Sequence, residues 1–246
     1  MTWPVARWGD GDGTALLVHG LSSSKEGWWR VGPALADLGY TVVAPDLRRH
    51  GEAPKSGSMG IDQLATDLLG LGERWDLVLG HSLGAAAVVQ AAVRRPAWAG
   101  KLVLEDPALV VPDPDAARAI LLADFEHPLT GAAQERLNPT WHPTDCEIKA
   151  EALEASGPEV VEAAITDNPE WNVVAETASL EVPTLVVGAD PERGTMVPPA
   201  LGTSLEDLND RITYVGVAGG SHSMHRDEFD AFLEVVTEWL GRSPTT

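Results

Sequence analysis

The residues best suited to chemistry lie in Asp76-Leu77-Val78-Leu79-Gly80-His81-Ser82-Leu83-Gly84-Ala85-Ala86-Ala87. A short apolar run enters Gly-His-Ser-Leu-Gly, and small apolar residues follow it. The pattern reads as strand, sharp turn, helix. A serine at the apex of such a turn sits in a strained backbone conformation, and any side chain beyond hydrogen at Gly80 or Gly84 would crowd it. Gly-x-Ser-x-Gly in this setting has the form of a nucleophile elbow; the structural alternative is a Gly-rich turn whose serine merely caps the helix. A free serine is a poor nucleophile and needs a base within hydrogen-bond reach. His222, in Gly219-Gly220-Ser221-His222-Ser223-Met224-His225, is the candidate, with His225 as its competitor. His19 and His81 read as structural histidines. Two carboxylates, Asp106 and Asp190, each end an apolar run. His127, His142 and Cys146 form no recognisable ligand spacing, so neither a metal nor any other cofactor is expected.

These groups need a scaffold. Thr14–Val18, Tyr40–Ala44, residues 76–80 and Lys101–Leu104 are short continuous apolar runs, as expected of strands buried on both faces. Residues 3–8 read as a weaker first strand. Helical patterns cover 25–38, with Trp28, Trp29, Leu35 and Leu38 expected to pack inward, then 61–72, and the stretch from Ser82 until Pro96 stops it. From Ala108 to about Ala178 the strand rhythm lapses into Asp- and Pro-rich turns and helical stretches such as 113–124 and 147–155. Alternation resumes with a strand at 183–188, a helix near 198–208 and a strand at 211–217. An amphipathic helix at about 227–241 follows, with Phe229, Phe232, Leu233, Val236 and Leu240 on one face. Such alternation predicts an α/β fold with a mostly parallel sheet flanked by helices. Chemistry in such sheets sits at the carboxyl ends of the strands, where loops 19–24, 45–51, 80–84, 105–107, 188–194 and the His222 loop all fall. The expected core is 1–107 with 179–246, and 108–178 is expected to form a helical cap inserted in it.

Composition narrows the partners. Of 246 residues 44% are apolar, enough for a substantial core, and 17 Lys and Arg against 37 Asp and Glu leave a formal charge of −20. That acidity disfavours nucleic acid and anionic membrane as partners. A single cysteine, Cys146, excludes an intrachain disulfide and fits a cytoplasmic protein. The N-terminal stretch lacks the apolar core of a signal peptide, and no window approaches a membrane span. A small molecule is therefore the expected partner; the oligomeric state is left open.

His19-Gly20 after one strand, Gly80-His81-Ser82-Leu83-Gly84 after a later one, and Gly220-Ser221-His222 near the C-terminus together resemble the α/β-hydrolase superfamily. The likeness is to its serine hydrolases of esterase or lactonase type with a helical cap, and covers about 14–106 and 183–241. Asp46-Leu47-Arg48-Arg49-His50-Gly51 resembles the family's Asp-x-Arg-Gly-His-Gly loop, with Arg49 in the glycine's place; that loop is structural. The resemblance implies Ser82 as nucleophile and His222 as base. It also implies an oxyanion hole from the backbone amides of Leu83, at the helix N-terminus, and Leu21, with His19 organising the latter's loop. The family's commonest acid position corresponds to Asp190. Here, however, Gly188-Ala189-Asp190-Pro191-Glu192-Arg193-Gly194-Thr195-Met196-Val197 departs from Gly-x-x-Asp-x-x-Val, with the aspartate early and a longer loop after it. Asp106 matches a branch, including certain dehalogenases and esterases, that draws its acid from the strand after the elbow helix. Asp106 is preferred and Asp190 kept as the alternative; their structural readings are a cap hinge and a turn former.

The reaction that the resemblance implies is acyl transfer to water: hydrolysis of a small-molecule ester or lactone through an acyl-enzyme on Ser82. Serine at the elbow argues against haloalkane dehalogenase or epoxide hydrolase chemistry, which uses a carboxylate there. The same triad would serve a cofactor-free C–C hydrolase, lyase or perhydrolase, and the fold can also serve as a small-molecule receptor. Trp28, Trp141 and Trp171, together with Phe125, are the candidate substrate-lining aromatics; equally, they pack the cap onto the core.

Overall fold

The computed structural model describes residues 3–241; the outermost parts of the expected core, 1–2 and 242–246, lie outside the described residues. Seven strands form one sheet: β1 (Val5–Trp8), β2 (Gly13–Val18), β3 (Tyr40–Pro45), β4 (Trp75–His81), β5 (Ala99–Glu105), β6 (Thr184–Gly188) and β7 (Ile212–Gly216). Their order is β1-β3-β2-β4-β5-β6-β7. The edge strand β1 runs antiparallel to β3, and every other neighbour pair is parallel.

Side-chain alternation explains why the inner strands read as continuous apolar runs. Leu16, Val18, Val78, Leu102, Leu104 and Val186 enter the core on one face. Ala15, Leu17, Leu77, Leu79, Val103, Leu185 and Val187 enter it on the other. Both faces are covered, so neither set can be polar. Helices α1 (Val31–Asp37), α2 (Ile61–Leu69) and α3 (Ser82–Arg94) follow β2, β3 and β4 in turn. Ile61, Leu64 and Leu68 of α2 and the alanines of α3 pack on the first face, and Val31 and Leu35 of α1 on the second.

The expected helix over 25–38 is broken. A single 3-10 turn spans Lys25–Trp28, and α1 starts only at Val31. Pro33 is the cause: in a continuous helix its missing N–H would face the carbonyl of Trp29, and its ring would clash there. In the first turn of α1 no such bond is needed. Leu38, beyond the helix end, is 50% exposed rather than packed inward.

Between β5 and β6 lie α4 (Pro114–Ala123), α5 (Gly131–Leu137), α6 (Pro143–Ser156), α7 (Glu159–Thr166) and α8 (Val174–Ala178). An isolated antiparallel bridge, Val110 to Asn172, is the strand-like feature in this segment. Val160, Val161, Ala164, Ile165, Trp171 and Val173 join the core of the first sheet face, so the segment shares the sheet's core. Polar ties fix it as well. Asn168 accepts from the Ile61 amide at 2.8 Å, serving as a cap for α2, and donates to the Met59 carbonyl. On the other side the buried Asp145 accepts from the Trp29 indole at 2.9 Å and from Arg30 at 2.7 Å. The described residues close with α9 (Pro199–Leu208), the short α10 (Met224–Asp227) and α11 (Phe229–Gly241), whose Phe232 and Val236 are buried against the second face. Among the described residues no helix is long and apolar enough to cross a membrane.

Candidate active site

The strand–turn–helix at β4 and α3 carries Ser82 at its apex, in the left-handed region with φ of 53°. Close packing forces the turn. A Cβ at Gly80 would lie 2.7 Å from the Ala85 backbone, and one at Gly84 would lie 2.3 Å from the His19 carbonyl oxygen. Both contacts are with main chain, which cannot swing aside. Among the described residues, Ser22, Arg49, Ser82 and Asp106 are the non-glycine residues at positive φ. All four lie just past the carboxyl ends of β2, β3, β4 and β5, Ser82 as the first residue of α3, where backbone strain characteristically gathers around function.

The partly exposed His222 comes from the loop after β7. Its Nε2 lies 2.9 Å from Ser82 Oγ and its Nδ1 lies 2.6 Å from Asp106 Oδ2. Asp106 is fully buried and follows β5 directly. Its carboxylate also accepts from the Thr195 hydroxyl at 2.7 Å, and from the amides of Met196, Val197 and Ala189 at 3.0, 3.3 and 3.3 Å. Burial works against its charge. The hydrogen bond and charge of His222, with the Met196 amide and Thr195 hydroxyl, outweigh that and hold it below the ordinary carboxylate range. Asp190 faces elsewhere: it accepts from the amides of Glu192 at 2.9 Å and Gly219 at 2.8 Å, the work of a turn former. The longer loop after Asp190 is thus the segment that wraps Asp106. Its length was visible in the sequence; the part taken by Thr195 was not.

Two amides belong to the segments beside the serine. Leu83 is the second residue of α3, so its N–H has no partner inside the helix. Leu21 follows Gly20, where a Cβ would meet Ser82 Cβ at 3.0 Å. The next amide, of Ser22, is already spent on His50 Nε2 at 3.1 Å. Two buried histidines hold this loop by the same device. His19 donates from Nδ1 to the Gly20 carbonyl and accepts at Nε2 from Leu47; His50 donates from Nδ1 to the Arg48 carbonyl and accepts from Ser22. One carbonyl and one amide per ring require the neutral tautomer with hydrogen on Nδ1. Burial keeps both neutral, lowering His19 and bringing His50 to about 3. Arg49, at φ 64°, occupies the left-handed position that suits the glycine it replaces.

Other expectations divide. Trp28 is 1% exposed and stacks on the His225 ring inside the second-face core, not at a cleft. Trp171 is 6% exposed in the first-face core and donates from its indole to the Ala108 carbonyl at 2.7 Å. For Trp28 the expectation of a substrate-cleft position is corrected, since the ring packs between layers; Trp171 packs likewise but also borders surface clefts beside Asn172 and Glu176. Trp141, half-buried, lies 4.7 Å beneath the Arg226 guanidinium. His142 caps α6 and Cys146 is buried within it. A group that sequence reading missed is His81, Glu105 and His225, buried behind the elbow with their ligand-type atoms within 4.8 Å of one another. A cation there would compete with existing bonds. His225 Nδ1 lies 2.9 Å from both Glu105 oxygens, and His81 Nε2 is 2.8 Å from the His222 carbonyl. Burial pushes the Glu105 carboxyl up and the His225 imidazole down.

Comparison with known proteins fits this geometry. A profile described as "Alpha/beta hydrolase family" matches residues 15–235. Over 112 residues the chain is 33% identical to lipase LipV of Mycobacterium tuberculosis, covering 44% of this chain and 42% of that one. The chain spans less than half the length of the curated relatives it resembles at that level. It is 24% identical over 246 residues to N-formylmaleamate deformylase of Pseudomonas putida, covering 95% of this chain and 91% of the other. Among solved structures, the enol-lactonase from Burkholderia xenovorans LB400 has a TM-score of 0.79 at 22% identity, over 97% of this chain and 96% of that one, which is a likeness of fold.

Proposed function

Because the chain belongs to the α/β hydrolase family, we propose that it is a serine hydrolase cleaving a small-molecule ester or lactone. The observation that carries this is the run Ser82 Oγ, His222 and Asp106, linked at 2.9 and 2.6 Å. In this reading Ser82 Oγ attacks the substrate carbonyl carbon while His222 Nε2 takes its proton. Asp106 orients the ring and stabilises the imidazolium. The N–H groups of Leu21 and Leu83 receive the oxyanion; being backbone, they are fixed before the charge develops. Collapse of the tetrahedral intermediate breaks the bond to the leaving oxygen, which takes the proton from His222. Water, deprotonated by the same ring, then cleaves the acyl-enzyme and frees Ser82. The chain supplies every group these steps use, so they call for no cofactor. The segment 108–178, carrying α4 to α8, serves as the cap that selects the substrate. The lipase name among its relatives keeps esters in view. The acidic surface and lone cysteine suit a cytoplasmic enzyme acting on small molecules.

The test is incubation with a serine-directed fluorophosphonate, read by intact mass. One adduct on the wild type and none on Ser82→Ala is expected. No adduct on the wild type, or an equal adduct on Ser82→Ala, removes the nucleophile from the scheme.

A further inference from the structure

His81, between Gly80 and Ser82, is a titratable side chain the proposed chemistry leaves unused. It is buried, and its Nε2 lies 2.8 Å from the main-chain carbonyl of His222. A carbonyl only accepts, so Nε2 carries the hydrogen and His81 is the donor. Burial lowers the ring to about 3, so this donor tautomer persists across ordinary pH. The ring lies 4.7 Å from that of His222 and 5.1 Å from that of His225. The fit is tight: a Cβ on Gly20 would come within 2.8 Å of His81 Nδ1.

The loop carrying His222 is tied along its length. Gly219 donates to Asp190 at 2.8 Å, Ser221 to Asp227 at 3.1 Å, and His225 to Glu105 at 2.9 Å. At His222 itself the main-chain tie is His81. Its neighbour in sequence is the nucleophile, so the turn that aims Ser82 also holds the backbone of the base that must meet it. Resting on the reading of Ser82 and His222 as nucleophile and base, we propose that His81 is a positioning residue, whose Nε2–H bond to the His222 carbonyl keeps the imidazole in register with Ser82 Oγ. An apolar residue at position 81 would fill the space but leave that carbonyl without its donor. The loop could then shift by a fraction of an ångström, and the 2.9 Å contact depends on it.

The experiment compares wild type, His81→Leu and His81→Gln on a p-nitrophenyl ester and in fluorophosphonate labelling of Ser82. Loss of the donor should lower kcat about 10- to 100-fold, the scale of a small misplacement of reacting groups. KM should stay within about threefold, and labelling should slow by the same factor as kcat. His81→Gln, which keeps an N–H at similar reach, should recover most of the rate. The low-field proton resonance of the hydrogen between His222 and Asp106 should broaden in the leucine variant and sharpen again in the glutamine one. Should His81→Leu be insoluble, His81→Asn, whose amide is too short to reach the carbonyl, takes its place. An unchanged kcat without the donor, or an equal loss in His81→Gln, overturns the positioning role. Failure of the wild type to take label on Ser82 overturns the hydrolase reading instead.

Discussion

Acidifying the protein from pH 7 to pH 5 should lower its unfolding free energy by about 4 kcal/mol, through His50 and His81. In the unfolded chain each ring takes up a proton below its ordinary value of 6.5; in the fold, burial delays this to about 3. Between those values the unfolded state binds more protons, so stability falls as pH falls, by about 1.4 kcal/mol per unit for each ring. The step to pH 5 crosses about 1.5 units of that window, which is about 2 kcal/mol per histidine. Shifting either folded value by a unit changes little, since pH 5 stays above both. His19 acts in the same direction, and the depressed Asp46 and Asp106 add their losses at still lower pH. Glu105 pulls the other way and its partner His225 with the main trend, so that pair partly cancels. Relief of surface repulsion on a chain of formal charge −20 also opposes the trend, but about 0.15 M salt screens it. A loss of 4 kcal/mol is a large share of the roughly 5–15 kcal/mol of an ordinary domain. Urea unfolding at pH 7, 6 and 5 measures it, with His50→Gln expected to remove about half of the slope. A change below about 1 kcal/mol, or an undiminished slope in both His50→Gln and His81→Gln, would refute the argument.

Other outcomes rest on the same geometry. Asp106→Asn should cut kcat on a p-nitrophenyl ester by about 10³–10⁴-fold, since the amide would present the wrong partner to His222 Nδ1. Asp190→Asn, which disturbs a turn, should stay within about tenfold of wild type; a larger loss at Asp190 would reverse the assignment. Gly84→Ala should destabilise by about 3 kcal/mol or abolish soluble expression, because its Cβ would press on the carbonyls of His19 and Val18 at 2.3 and 2.6 Å. Wild-type urea midpoints in that variant would contradict the close approach of α3 to β2.

Much of this protein is legible from local pattern. Runs such as Thr14–Val18 and Lys101–Leu104 announce strands buried on both faces because each alternate side chain meets a different helical layer. Gly80 and Gly84 announce the turn because their crowding arises within a few residues of Ser82 or at the adjoining strand. Sequence also showed Arg49 in a glycine's place, and the backbone there is left-handed. Where local pattern and backbone chemistry conflicted, the periodicity of 25–38 misled and Pro33 prevailed. Tertiary structure alone decided the rest. Trp28 and Trp171 carry no mark of which surface they meet, and the packing of layers buried both. Asp106 and Asp190 end neighbouring parallel strands, and each had a reason to face the histidine. The choice fell to the folding of the loop 189–197 over Asp106, which brings a hydroxyl and three amides to one carboxylate. His81, Glu105 and His225 are distant in sequence and meet only when β4, β5 and the loop after β7 are assembled. A residue's type and its near neighbours set what it can donate, accept or bury; which partner it finds depends on strand order and loop path, and those are properties of the whole sheet.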